Sequence, residues 1–243
     1  KPMKKRILSI LLLCCMVLTM LPTTVLAADG PMDTIPKYDV SIDVYNRTSD
    51  ISIKDSRSYY IYSSVPDKLR DTWAWDKKIF IKGDKTAPHV FIDGVNIKMS
   101  PSSKGPAIEL NKKASAYLYF IGKDSTLQGA DGRAAIQKNR SEGQLYVLAR
   151  TGTTVTCKGG YRAAGIGGSW AIRNIGDSMF NMDMYGHGVN MHFGSQSNPD
   201  YWGGTINATG GEYGAGIGAG SWGHPGHSGN TIHGGAGERL YFY

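Results

Sequence analysis

Gly186-His187-Gly188 sets an imidazole between two glycines, a placement suited to proton transfer at a glycosidic bond. Such a reaction needs two carboxyl groups, one to protonate the leaving oxygen and one to activate water. The acids just upstream are the isolated Asp177 and Asp183, and the sole downstream cation is Arg239. That set does not make a glycosidase, so no catalytic residue is assigned. His224, His227 and His233 lie in Gly- and Pro-rich sequence with no Cys or acid at ligand spacing, which argues against a transition-metal site. Asp93, Asp124 and Asp131 are scattered; calcium stays open as a cofactor, with its ligands unknown. Gly214-x-Gly216-x-x-Ala219 fits a loose dinucleotide pattern, but the Gly- and Pro-rich stretch after it cannot open the helix that pattern requires. Aromatic residues are the stronger signal. Tyr161 and Trp170 bracket a phrase containing Gly165 and Gly167, and Tyr213 and Trp222 bracket another containing Gly216 and Gly218. Sugars stack their C–H faces on such rings while polar groups at the edge fix orientation. These eight residues form the candidate carbohydrate-binding set. Alternatively, the same rings cover loops or cap the core.

Those residues must be held by strands. From Ile51 onward the chain runs in short stretches such as YYIYS, IFIKG, HVFIDGVNIKM and AYLYFIG. They alternate apolar and polar positions, favour β-branched and aromatic residues, and are cut by Gly, Asp, Asn and Ser. No amphipathic helix is visible, so the class is all-β. Ile108, Ile136, Ile166 and Ile217 sit in similar phrases at intervals of 28, 30 and 51 residues. Ile97, Leu127, Val155 and Ile206 step by 30, 28 and 51, and Ile92, Phe120 and Leu148 by 28 and 28. Columns advancing together at about 28 residues predict a solenoid with strands stacked on their equivalents in the next turn. Because crossovers between parallel strands are right-handed, the expected fold is a right-handed parallel β-helix with rungs of about 28 residues. A Greek-key sandwich is the alternative. The step of 51 implies a rung degraded or looped out between Trp170 and Gly203. Strand alternation turns Ile166 and Ile217 inward and Gly165, Gly167, Gly216 and Gly218 outward, predicting a bare trough walled by the four aromatic residues. Trp73 and Trp75 are expected to shield the first rungs.

The ends bound where such a protein works. Lys4, Lys5 and Arg6 precede an apolar run from Ile7 to Met20 and a Val25-Leu26-Ala27 step, the layout of a signal peptide spanning residues 1–27. The apolar run is short of the ~20 residues needed to span a bilayer. Secretion or cell-surface display is expected, with no membrane span in the mature chain. Residues 28–50 read as a lead-in, and residues 51–243 as the solenoid, truncated at its C-terminus. The formal charge of +7 includes four cations before residue 28 and no acid there, so +3 remains after cleavage. Without a basic cluster, that charge argues against nucleic acid as a partner. Of three cysteines only Cys157 lies beyond the signal, so no disulfide framework holds the fold.

The succession of signal peptide, DISIKDSRSYYIYS, HVFIDGVNI, STLQG and AAGIGG-type phrases resembles exported carbohydrate-binding β-helix surface proteins of Gram-positive bacteria, related in fold to pectate lyases. The resemblance covers roughly Ile51 to Gly235. It implies a non-catalytic module that binds plant or host polysaccharide or a surface glycan, with calcium in some members. Two alternatives stay open. One is a pectinolytic enzyme, since polygalacturonases carry a Gly-His-Gly phrase; the other is a structural, adhesin-like solenoid.

Overall fold

The computed structural model describes residues 36–83, 85–100, 105–110, 113–138, 142–172, 186–223, 233–234 and 237–243. The chain divides into Lys1–Pro36 and Lys37–Tyr243, and the described strands all belong to the second unit. Strands of three to six residues bury one face only when stacked on others. Here they return repeatedly to the same sheets. One wall holds Val40–Asp43, Ser58–Tyr62, His89–Asp93, Ala116–Ile121, the start of Leu145–Lys158, Gly188–Phe193 and Gly237–Phe242 in that order. A second holds Asn96–Lys98, Ser125–Gln128, the end of Leu145–Lys158 and Gly203–Thr209. The third stacks Ile51–Ile53, Ile79–Ile81, Ile108–Leu110, Ile136–Gln137, Ile166–Gly167 and Ile217–Gly218. The strand Leu145–Lys158 serves two walls because it turns near Gly152, whose φ is +84°, with a register shift between Ala149 and Thr154.

All described strand pairings are parallel except Ser221–Gly223 with His233–Gly234, an arrangement incompatible with a Greek-key sandwich. No α-helix occurs among the described residues. The architecture is all-β with parallel sheets and fits a parallel β solenoid coarsely. Among the described residues sheet pairing begins at Val40, inside the segment read as lead-in.

The isoleucine column is present and longer than expected. Ile51, Ile79, Ile108, Ile136, Ile166 and Ile217 are successive partners across the third wall. All but Ile217, at the end of the stack, are buried. Truncating any of the buried five to alanine would cost about 2–5 kcal/mol. Two expected columns need correction. Leu127 pairs with Ile97 as expected, but its next partner is Cys157; Val155 lies against Ser125 and Ile206. Phe120 pairs with Ile92 and then Ala149, while Leu148 stands beside Tyr119 on the opposite face. The 51-residue step is also a single level. Ile166 pairs directly with Ile217, so no rung is missing between them; the circuit that joins them is simply longer.

Trp75 does more than shield. It is buried in the core, bridges to Ile97, and its indole donates a hydrogen bond of 2.8 Å to the Arg47 carbonyl. Trp73 packs against the same core and meets Tyr45 edge-on at 5.3 Å. Cys157 is a free, buried thiol whose pKa is pushed up by burial.

Candidate functional site

Between the second and third walls each level turns sharply, and three successive turns carry Asp131-Gly132-Arg133, Tyr161-Arg162-Ala163 and Glu212-Tyr213-Gly214. Their backbones stack: the Gly132 amide donates to the Tyr161 carbonyl at 3.0 Å, and the Arg162 amide to that of Glu212 at 2.9 Å. Gly132, Arg162 and Tyr213 have φ of +74°, +62° and +65°. Glycine adopts this left-handed conformation freely, whereas any residue with a Cβ loses about 1–2 kcal/mol there. The lower turn uses the unstrained residue. The next two place a guanidinium and a phenol at the same position, and strain of this kind concentrates at functional sites.

The guanidinium carbon of Arg162 lies 5.0 Å from the ring centroid of Tyr161, 5.2 Å from Trp170 and 5.9 Å from Tyr213. Tyr161 and Trp170 meet edge-on at 6.5 Å. Trp170 is anchored by its amide, which donates to the Gly132 carbonyl at 2.9 Å. Its ring lies over Gly132, where a Cβ would come within 3.2 Å of Cε3. Tyr161 and Tyr213 remain 40% and 54% exposed, so each offers ring surface to solvent. Glu212 hydrogen-bonds the Tyr213 phenol and adds its charge, raising the phenol pKa. Two donors inside the cage, Arg162 Nε and Trp170 Nε1, are buried without a hydrogen-bond partner. Among the described residues Arg162 makes no ion pair.

The structure thus gathers Tyr161, Trp170 and Tyr213 around a residue that the sequence reading did not single out. Trp222 enters through its backbone, which pairs with Ala171; its side chain lies outside the described residues. The glycines are arranged differently from expectation. Gly167 and Gly218 are adjacent partners, as the repeat requires, but Gly165, Gly167 and Gly218 are buried and Gly216 is half-buried. A Cβ on Gly165 would lie 2.7 Å from the Gly216 carbonyl oxygen and 2.8 Å from the Thr209 nitrogen; on Gly167 it would lie 2.0 Å from the Gly218 carbonyl oxygen. On Gly216 it would meet the Ala208 carbonyl oxygen at 2.6 Å. The open trough is absent because only Ile166–Gly167 and Ile217–Gly218 within these phrases are strand, and the residues around them curl. The Ala164 amide donates to the Gly168 carbonyl at 2.9 Å and Ala215 to Ala219 at 3.0 Å, curling each phrase, and Gly167 and Gly218 take φ of +128° and +121°. The strand Gly188–Phe193 then packs on them, so closely that a Cβ on Gly188 would lie 1.9 Å from the Gly218 carbonyl oxygen.

A second aromatic array occupies the outer face of the first wall. His89, Tyr117, Tyr146, His192 and Tyr241 share one register over five levels. Their rings stack nearly parallel, with centroids 4.7, 4.5, 4.4 and 4.5 Å apart. Beside them Phe91 stacks on Tyr119 at 4.8 Å, and Trp202 covers Tyr119 at 5.1 Å. His89 Nδ1 lies 3.0 Å from the Tyr119 hydroxyl and His192 Nδ1 3.1 Å from that of Tyr243. Burial lowers the pKa of both imidazoles. The column steps by 28, 29, 46 and 49 residues, a signal readable from the sequence once the long circuits are recognised.

The other candidates form no site among the described residues. Asp177, Asp183, His224 and His227 lie outside the described residues, and His233 enters only through its backbone. Asp93 accepts hydrogen bonds from the Tyr60 hydroxyl and the Lys123 amide, and Asp124 from the Thr154 amide, so these carboxylates hold turns. Among the described residues no group of three or more His, Cys, Asp or Glu is placed to hold a metal ion. Nor is any described helix long and apolar enough to cross a membrane. Compared with known proteins, the chain matches no family model, no curated protein and no solved structure.

Proposed function

We propose that this chain is an exported, non-catalytic module that binds polysaccharide or a surface glycan, built as a right-handed parallel β-helix. The observation that carries this reading is the cage of Tyr161, Trp170 and Tyr213 around Arg162, on turns where glycine would be the relaxed choice. Ring faces for stacking, a guanidinium for hydrogen bonding, and the Asp131 and Glu212 carboxylates on adjacent turns are the groups a hydroxyl-rich ligand needs. Parallel pairing and a recurring register support the β-helix, and its hand follows from the preference of parallel crossovers. The basic and apolar N-terminal sequence supports export, and the resemblance to surface carbohydrate-binding solenoids agrees with both.

A glycan array probed with the purified chain and with a Tyr161→Ala/Tyr213→Ala variant tests this. Wild type is expected to bind at least one polysaccharide, and the variant to lose it while keeping its thermal midpoint. Failure of wild type on every neutral and acidic glycan, or equal binding by the variant, would overturn the reading.

A further inference from the structure

Resting on that reading, we infer that the glycan carries an oxyanion, a carboxylate or sulfate ester on the sugar, received by Arg162 and the indole N–H of Trp170. Both groups only donate hydrogen bonds. Arg162 Nε and Trp170 Nε1 are buried in one cage, and neither has an acceptor. Buried donors left unpaired are costly, so the cage is incomplete as it stands. Among the described residues no carboxylate forms an ion pair with Arg162.

A neutral hydroxyl could accept from these donors but would form the weaker bond of an uncharged acceptor. An oxyanion brings only acceptors, and its bonds to a guanidinium are charge-assisted. The opposing charges are Asp131 and Glu212, one level below and one above Tyr161; Arg133 adds a cation on the lower turn, and Lys158 lies three residues before Tyr161. Access is past Tyr213, which is more than half exposed, while Tyr161 keeps a ring face for the sugar.

Isothermal titration of the full chain with polygalacturonate, dextran sulfate and neutral dextran tests the assignment and separates carboxylate from sulfate. Wild type is expected to bind one acidic polymer at least tenfold more tightly than dextran. Arg162→Gln and Trp170→Phe should each weaken that binding by about tenfold or more without lowering the thermal midpoint. Trp170→Phe keeps a ring and removes only the donor, so it stays informative if Arg162→Gln fails to fold. Preference for dextran, or full acidic binding by Trp170→Phe, overturns the oxyanion while leaving the glycan reading intact. Binding to none of the three, joined to a blank array, removes both.

Discussion

The molecule carries two aromatic arrays that use their rings in opposite ways. On the first wall, rings at one register stack on each other about as closely as the strands beneath them, so each interior ring has both faces covered by its neighbours. Only edges reach solvent. In the turn cage the rings splay around a cation, meet edge-on, and keep exposed surface. The number of aromatic side chains does not make a site. Free faces do, and the chain accepts left-handed strain at Arg162 and Tyr213 to present them. The stacked column serves the parallel sheet, as cross-strand pairs do generally.

The largest expected effect separates the cage from the glycines first grouped with it. Gly167→Ala places a Cβ against the Gly218 carbonyl at a position with φ of +128°, so it should destabilise the fold by about 3 kcal/mol or more, read by denaturant unfolding. A well-folded Gly167→Ala chain would reopen the trough. Next is the column. Tyr117 stacks on both His89 and Tyr146, so Tyr117→Ala should cost about 1–3 kcal/mol from two ring pairs while glycan affinity stays within about twofold. Loss of binding without loss of stability would move the site to the wall. A smaller effect of opposite sign is expected in the cage, where Tyr213→Gly relieves the left-handed backbone and should raise stability by up to about 1 kcal/mol. The same change should weaken glycan binding. Destabilisation by Tyr213→Gly would show that the ring is structural.

The smallest effect concerns pH. The folded-state pKa values of His89 and His192 lie below the ordinary value of 6.5, so the unfolded chain takes up their protons first. Their contribution is fully present above that pH and is lost as pH falls through it toward the folded values. Thermal midpoints should therefore drop on acidification below pH 6.5, and less so in a His89→Phe/His192→Phe variant. Identical pH profiles for the two proteins would mean the imidazoles are not held within the stack.

Some of this organisation is legible in the sequence for identifiable reasons. The isoleucine column is recoverable from Ile108 onward because one residue type recurs in one phrase; Ile51 and Ile79 extend it but lack the phrase. Val155 and Cys157 both face the core, so alternation cannot say which of them stands on Leu127, and the column slips by two. Leu148 slips by one for another reason. Leu145 to Ala149 are apolar on both faces, because the outside of the first wall carries its own buried patch of Tyr60, Phe91 and Ile121 beneath Tyr119 and Trp202. Period two disappears where both faces are covered. The trough fails because each glycine phrase is strand for only two residues and curls around them, where alternation predicts an extended run. Arg162 carries no signal by itself because left-handed positions announce themselves only when glycine fills them, yet setting Gly132, Arg162 and Tyr213 in one column exposes the substitution.

The most direct test of the central claim compares the two arrays in one experiment. Wild type, Tyr161→Ala and Tyr146→Ala would be titrated calorimetrically with whichever polysaccharide wild type binds on the array. Loss of one free stacking face should raise Kd at least about tenfold in Tyr161→Ala, a difference of about 1.4 kcal/mol, and leave Tyr146→Ala within about twofold of wild type. The reverse pattern, with Tyr146→Ala impaired and Tyr161→Ala unchanged, would place the glycan on the stacked wall and contradict the cage.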